Sequence, residues 1–309
     1  MIIIILSVHT LLEKEGFHSM KATSFAALLL AGGVVMGGCG NSDDTAKNGD
    51  STTEQSTSNS ATTNTLDKET QAYKDFALEQ LDQFTKATEE FVTAFKDGDI
   101  EKAKALYPTA RMYFERSEPI AESFGDLDPA IDARLADLEA EGQTKEDWTG
   151  YHKLEYALWE DSTTKGYDKV ADKLIADTKE LRARVETVEV TPDMMINGAV
   201  DLLNEVSTSK ISGEEDIFSH TDLYDFKANV EGAEKIFEIL EPSIKEKDAA
   251  LAENLTDKFN AVNDLLTNYE TKDGGYVSYT KLTEKDTKAL SEAINQLGEP
   301  LSQMGTILE

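Results

Sequence analysis

Trp148-Thr149-Gly150-Tyr151-His152-Lys153-Leu154-Glu155-Tyr156-Ala157-Leu158-Trp159-Glu160 is the stretch on which the reading of this chain turns. At helical spacing Leu154, Ala157 and Leu158 mark an apolar stripe, and His152 and Glu155, three residues apart, lie side by side along it. One helix therefore projects an imidazole and a carboxylate together. Helical bundles build metal sites in this way, from an imidazole and a carboxylate close in sequence that meet further carboxylates on facing helices. On spacing alone the plainer reading, an amphipathic helix with a packed histidine and a solvated glutamate, is favoured, because a two-residue motif is common by chance. The rest of the chain changes that balance.

Upstream, Arg111-Met112-Tyr113-Phe114-Glu115-Arg116-Ser117-Glu118-Pro119 repeats the three-residue spacing with two carboxylates, Glu115 and Glu118. Pro119 lacks the amide that would bond the Glu115 carbonyl and disfavours helical geometry at Glu118, so a kink is expected at a cluster of acids. Such local rule-breaking is expected more at working sites than elsewhere. The alternative is that both glutamates pair with Arg111 and Arg116 on a solvated face. Asp132, four residues past Asp128, would stand near a helix N-terminus, where the dipole favours a carboxylate in any case. Glu214 and Glu215 follow Ser212-Gly213 at a loop-to-helix junction and could reach in from the second half of the chain.

From about Leu66 onward the apolar periodicity is helical almost throughout, which makes the fold all-α. Phe76, Leu81, Phe84, Phe91, Val92 and Phe95 mark a helix that ends at Asp97-Gly98-Asp99, and a second runs over 100–124. After a turn with Asp128 as N-cap and Pro129 at the first helical position, a third covers 130–141, breaks at Gly142 and restarts after the Thr144-x-x-Asp147 cap to carry the histidine. Further helices are expected over 167–189, 192–210, 223–240, 242–269 and from Thr283 to the C-terminus. Short loops favour antiparallel neighbours, and roughly 240 residues exceed one four-helix core. We therefore expect two consecutive antiparallel four-helix bundles, residues 66–190 with the His-x-x-Glu motif and residues 191–309 beyond a seam at Thr191-Pro192.

The N-terminal residues read as an address. After Met20, Lys21 supplies a minimal basic region, residues 25–36 an apolar one, and Met36-Gly37-Gly38-Cys39 small residues before a cysteine. This looks like a lipoprotein signal peptide over residues 1–38, with Cys39 as the lipidated N-terminus after cleavage. Residues 1–19 are expected to lie upstream of the true start, since Lys14-Glu15-Gly16 can be encoded by the purine-rich AAG-GAG-GGN of a ribosome-binding sequence. Cys39 is the only cysteine, so no disulfide is expected although the chain is exported. Residues 40–65, rich in Ser, Thr, Asn and Asp, bury too little to offset ordering entropy and are expected to be a disordered tether. Glu13, Glu15, Lys14 and Lys21 cancel within residues 1–38, so the net charge of −30 belongs wholly to the mature chain. Such a surface repels nucleic acid and attracts cations.

Gly150-Tyr151-His152-Lys153-Leu154-Glu155 fits the Gly-x-His-x-x-Glu signature of the imelysin-like proteins. The string from Glu115 through Glu118-Pro-Ile-Ala-Glu-Ser-Phe-Gly-Asp-Leu-Asp-Pro-Ala-Ile-Asp132 resembles the EfeO branch of that family, as do Ile211-Ser-Gly-Glu-Glu-Asp216 and Ser219-His-Thr-Asp-Leu-Tyr-Asp-Phe226. The resemblance runs from about Tyr73 to the C-terminal helix. It implies two consecutive four-helix bundles in a lipid-anchored, extracytoplasmic iron-binding component of an elemental-iron uptake system. Its implied partners are an EfeU-like iron permease and an EfeB-like Dyp-type haem peroxidase. Carried over residue by residue, it implies His152, Glu155, Glu115, Glu118, Asp132 and Glu215 as metal ligands. The chain departs from longer EfeO proteins in having no room over residues 40–65 for a cupredoxin domain, which puts a separate copper or oxidase role in doubt.

One imidazole among carboxylate oxygens is a hard donor set, suited to iron as Fe3+ or Fe2+, and less selectively to zinc or copper. The leading expectation is capture of iron and its delivery to a membrane permease, without catalysis. An imelysin-type metallopeptidase is the first alternative, but the sequence has no His-Glu-x-x-His, and His152 and His220 are the only histidines beyond the signal. A metal-dependent binder of acidic polysaccharide is the second. His220 reads as part of a helix start, and Trp148 and Trp159 as core anchors.

Overall fold

The computed structural model describes residues 66–308. The expected signal peptide, the lipidated Cys39 and the tether lie outside the described residues. The described chain folds into α1 (Asp67–Lys96), α2 (Ile100–Glu115), α3 (Glu118–Ala121), α4 (Asp128–Asp132), α5 (Leu135–Ala140), α6 (Gly150–Trp159), α7 (Asp168–Thr187), α8 (Pro192–Thr208), α9 (Asp222–Lys247), α10 (Ala249–Leu266) and α11 (Glu284–Leu308). Among the described residues there is no β-strand, only an isolated bridge between Glu270 and Tyr276. The all-α expectation holds.

The helices follow from their buried stripes. In α1, Tyr73, Ala77, Leu81, Phe84, Thr88, Phe91 and Phe95 recur three or four residues apart and are all buried. Long α1 packs against α2 and α7, and α6 closes the group by lying on α2 and α7. Beyond Thr187, α8 packs on α9 and α11, and α10 lies between α9 and α11. The two groups meet where α9 lies on α2 and α8 lies on α3, and a single buried apolar cluster runs through both. At this junction a Cβ on Gly198 of α8 would stand 2.4 Å from the Pro119 carbonyl oxygen, so only glycine lets α8 come that close to the corner carrying Glu118. Under the junction Phe84, Phe91, Tyr107, Phe114 and Tyr151 pack ring against ring, with centroids 5.3 to 6.0 Å apart.

Several boundaries differ from those expected. The helix begun at Ile100 stops at Glu115 instead of bending through to residue 124, and the chain restarts as α3 with Pro119 in its first turn. The Glu115 carbonyl that Pro119 cannot serve accepts from Asn229 Nδ2 at 3.2 Å instead. Leu127, not Asp128, is the capping residue of α4, and Asp128 is its first helical residue. Extended backbone at Ala133 and Arg134 separates α4 from α5. Thr144 and Asp147 form a turn, Thr144 N and Oγ1 donating to Asp147 Oδ2 at 3.1 and 2.8 Å, and the histidine helix starts later, at Gly150. Finally, α9 runs through Pro242 to Lys247, and the reversal comes at Asp248, whose carboxylate caps the Ala250 and Leu251 amides at 3.0 Å. The cap decides this boundary because it satisfies two amides, while Pro242 removes one bond from a helix already held by packing.

Candidate metal centre

The junction gathers side chains from both groups. α2 sends in Tyr107, Arg111 and Glu115, α3 Glu118, α4 Asp132, and α6 His152 and Glu155. From the other side come Lys210, the Glu215-Asp216 pair of the loop before α9, and Asp225 and Asn229 of α9 itself. All but Asp132 are buried, and Arg111, Glu115, Glu155, Asp216, Asp225 and Asn229 are fully so. The first turn of α6 can reach α4 because Gly150 adopts φ +84°, and a Cβ there would lie 2.2 Å from the Ile131 carbonyl oxygen. His152 is thereby set beside Asp132.

The imidazole is held from one side only. Its Nδ1–H donates to Glu155 Oε2 at 3.1 Å. The other Glu155 oxygen accepts from the Phe218 amide at 3.1 Å, the Ser219 amide at 2.7 Å and the Ser219 hydroxyl at 2.8 Å. Glu155 is thus fully committed, and a proton on Nδ1 leaves the lone pair of the neutral ring on Nε2. Buried Nε2 has no hydrogen-bond partner; it faces Asp132 Oδ1 at 3.7 Å and Glu215 Oε1 at 3.8 Å. These three residues each offer a donor atom within 4.8 Å of the others. A buried imidazole nitrogen facing two carboxylates without a hydrogen-bond partner is a group that could serve a metal ion. A carboxylate behind the imidazole is the arrangement that orients a metal-binding histidine and raises its basicity.

Charge in the cluster is unbalanced. The carboxylates of Glu115, Glu118, Asp132, Glu155, Glu215, Asp216 and Asp225 face three permanent cations, Arg111, Lys210 and Arg134, the last reaching Glu215 Oε2 at 3.4 Å. Arg111 pairs with Asp132 and contacts Glu115 at 2.6 Å, Asp225 at 3.1 Å, Glu215 at 3.3 Å and Asp216 at 3.7 Å. Lys210 Nζ reaches Glu115 and Glu118 at 3.0 Å and Glu215 at 3.6 Å. Asn229 Nδ2 donates to Glu115 at 2.9 Å and to Glu118 at 2.7 Å. Burial pushes the Glu118 and Asp225 carboxyls well above the usual range, and raises Asp132 to about 6 against the pull of Arg111. Glu215 is different: against the cost of burial, Lys210 and His152 hold it well below its ordinary value. Burial and Arg111 disfavour a charged His152, but Glu155, Glu215 and Asp132 outweigh them and raise its pKa to about 10, so the ring without an ion carries protons on both nitrogens at neutral pH and an incoming ion would displace the one on Nε2.

Of the six residues proposed as ligands, the structure brings His152, Asp132 and Glu215 together around Nε2. Glu155 touches the same ring at its other nitrogen. Glu115 and Glu118 join the cluster but turn to Arg111, Lys210 and Asn229. Glu214 is exposed while Glu215 is buried, so the chain presents the second acid of the pair. Arg111 does not lie on a solvated face, and Arg116 pairs with Glu231 at 2.6 Å. Sequence reasoning missed Tyr107, whose hydroxyl donates to Asp216 at 2.9 Å, and also Lys210, Asp225 and Asn229. A signal existed for the last two, an acid and an amide four residues apart on an otherwise apolar face of α9. Lys210 carried none. His220 lies outside the cluster, its amide donating to the Asp216 carbonyl at 2.7 Å.

Two cavities reach the cluster. One, about 420 Å3, is lined by Glu118, Glu122, Asp128, Asp132, Glu205 and Glu215 among others, an acidic mouth. Burial, then Glu205, raises Glu122 there from 4.5 to about 7. A carboxyl raised in the folded state stabilises the fold when protonated, and that contribution is lost as pH rises through about 7. Glu122→Gln should therefore melt higher than the parent at about pH 8, by roughly 2–4 °C after solvent screening, and match it at about pH 5. Thermal melts at the two pH values check this. The second cavity, about 320 Å3, opens on His152 and Glu215 from the other side, between walls that include Leu135, Trp148, Ile217 and Phe218.

Comparison with known proteins points to a family. The imelysin family model, whose formal name is that of a peptidase family, matches residues 69–304. An Efem/EfeO family lipoprotein of Staphylococcus haemolyticus (strain JCSC1435) is 50% identical over 287 residues, covering 91% of this chain and 98% of the relative. One of the same description from Staphylococcus aureus (strain NCTC 8325 / PS 47) is 54% identical over 245 residues, covering 79% of this chain and 86% of the relative.

Proposed function

We propose a function from one premise: the chain belongs to the imelysin family, among its Efem/EfeO lipoproteins. It is an EfeO-type component of iron uptake, tethered outside the membrane through lipid on Cys39, that captures iron and passes it to a permease. A haem peroxidase of the same system is its other partner. The relatives' lipoprotein description supports the anchoring, and among the described residues no helix is long and apolar enough to cross a membrane. The helix groups over 66–190 and 191–308 act as two bundles that grip the cargo where they meet.

The observation that carries this reading is the unpartnered His152 Nε2 between Asp132 and Glu215, inside an excess of buried negative charge. His152, Asp132 and Glu215 would hold the ion, with Glu155 orienting the ring. Hard oxygen donors with one imidazole suit iron. The acidic mouth concentrates cations at the entrance. The peptidase reading has the family's formal name behind it. A hydrolytic zinc site commonly draws on more than one imidazole, which this cluster does not offer.

Calorimetric titration of chelator-stripped protein with Fe(III), Fe(II), Zn(II) and Cu(II) tests the reading. Saturable binding of a single equivalent is expected, with Fe(III) held tightest. Absence of saturable iron binding, or peptide release from casein that a chelator abolishes, would overturn it.

A further inference from the structure

The cavity on the far side of His152 has walls an aqueous ion does not need. Leu135, Trp148, Ile217 and Phe218 give it an apolar wall beside Arg134, Asp137 and Glu139, whereas the mouth by Asp132 is acidic. Its lip carries Ile217, half exposed and the one large hydrophobic side chain exposed among the described residues, in a chain of net charge −30. Ile217 thereby carries the apolar wall of the cavity out to its rim. The walls are rigid: Trp148 Nε1 donates to the Ala133 carbonyl at 2.7 Å, and Phe218 packs edge-on against Tyr156, ring centroids 5.2 Å apart. Its floor is the proposed ion site itself, His152 and Glu215.

The donor set also leaves room. His152, Asp132 and Glu215 converge on Nε2, while Glu155 is spent on His152 and the Phe218-Ser219 loop, and Glu115 and Glu118 on Lys210. Three protein donors do not saturate a hard ion that takes about six oxygens. Resting on the iron reading above, we propose that the apolar cavity holds a small planar chelator of the catecholate class, bound together with the ion. Two adjacent phenolate oxygens would add two donors to the ion's shell while the apolar ring lies between Leu135, Ile217 and Phe218. The two phenol protons go to solvent as the bonds to iron form, and iron stays ferric. Asp137, Glu139 and Glu214 also line this cavity and outnumber its one arginine, Arg134, so a chelator with further carboxylates away from the metal would be disfavoured. A volume of about 320 Å3 accommodates one such ring.

The test loads chelator-stripped protein with a single equivalent of Fe(III), adds catechol, and follows visible charge-transfer absorption and iron in the protein fraction after gel filtration. The expected result is a saturable mono-catecholate spectrum that travels with the protein. Ile217→Asp and Leu135→Ser should each weaken catechol binding about tenfold or more while leaving Fe(III) affinity without catechol unchanged. Citrate should bind the iron-loaded protein more weakly than catechol. Catechol stripping iron into the protein-free fraction, catechol affinity in both variants equal to the parent's, or citrate binding as tightly as catechol, each overturns the proposal while leaving iron capture standing. Failure of the parent protein to bind Fe(III) with or without catechol overturns both.

Discussion

His152→Ala is expected to weaken ferric iron binding by on the order of a thousandfold, roughly 4 kcal/mol, while Glu155→Gln weakens it by about 10- to 100-fold. The two residues form one motif, yet the structure gives them different work. His152 aims an unpartnered Nε2 at Asp132 and Glu215, so alanine removes the single nitrogen donor from beside the two acids. Glu155 is turned away from that point, holding Nδ1 with one oxygen and three donors from residues 218 and 219 with the other. A glutamine there has a single acceptor oxygen and cannot serve both sides. The ring would lose its orientation but keep its lone pair. Calorimetry on both variants, with circular dichroism to confirm folding, decides the matter. A larger loss in Glu155→Gln than in His152→Ala would make Glu155 a direct ligand and overturn the division.

The helical class was legible because the buried stripes of α1 and α9 recur at helical spacing over many turns. What sequence could not reach was set by capping and close approach. Nothing local distinguishes Pro242, carried inside a helix, from Pro119, which marks a break; the difference lies in Asn229, brought from α9 to take the Glu115 carbonyl. Within the site, periodicity put His152 beside Glu155 and Glu115 beside Glu118, but it could not say which carboxylate faces which ring nitrogen. That depends on Phe218 and Ser219, more than sixty residues away, claiming Glu155. The alternative that paired Arg111 with a glutamate on a solvated face holds for the pairing, Glu115 at 2.6 Å, but not for the solvent. The full burial of Arg111 comes from tertiary packing of α2 against α9, which no helical periodicity records.

Arg111→Met should destabilise the ion-free protein by about 3–5 kcal/mol, since the guanidinium is a buried cation whose removal leaves buried carboxylates unpaired. Its pairing reaches Glu115, Asp132, Glu215, Asp216 and Asp225, from four different segments of the chain. Methionine fills similar space along the stem, so the loss reports charge more than volume. For a chain of this size the melting temperature should fall by roughly 6–20 °C. Saturating Fe(III) should then raise the variant's melting temperature by more than it raises the parent's, because a bound ion neutralises acids that Arg111 otherwise shares. Differential scanning fluorimetry with and without metal reads both shifts. Arg116→Met is the control: Arg116 pairs with the partly exposed Glu231 and should cost about 1 kcal/mol or less, with no dependence on iron. If metal stabilises Arg111→Met no more than the parent, the guanidinium is a structural strut between the helix groups, and the excess of negative charge at His152 is not what draws the ion.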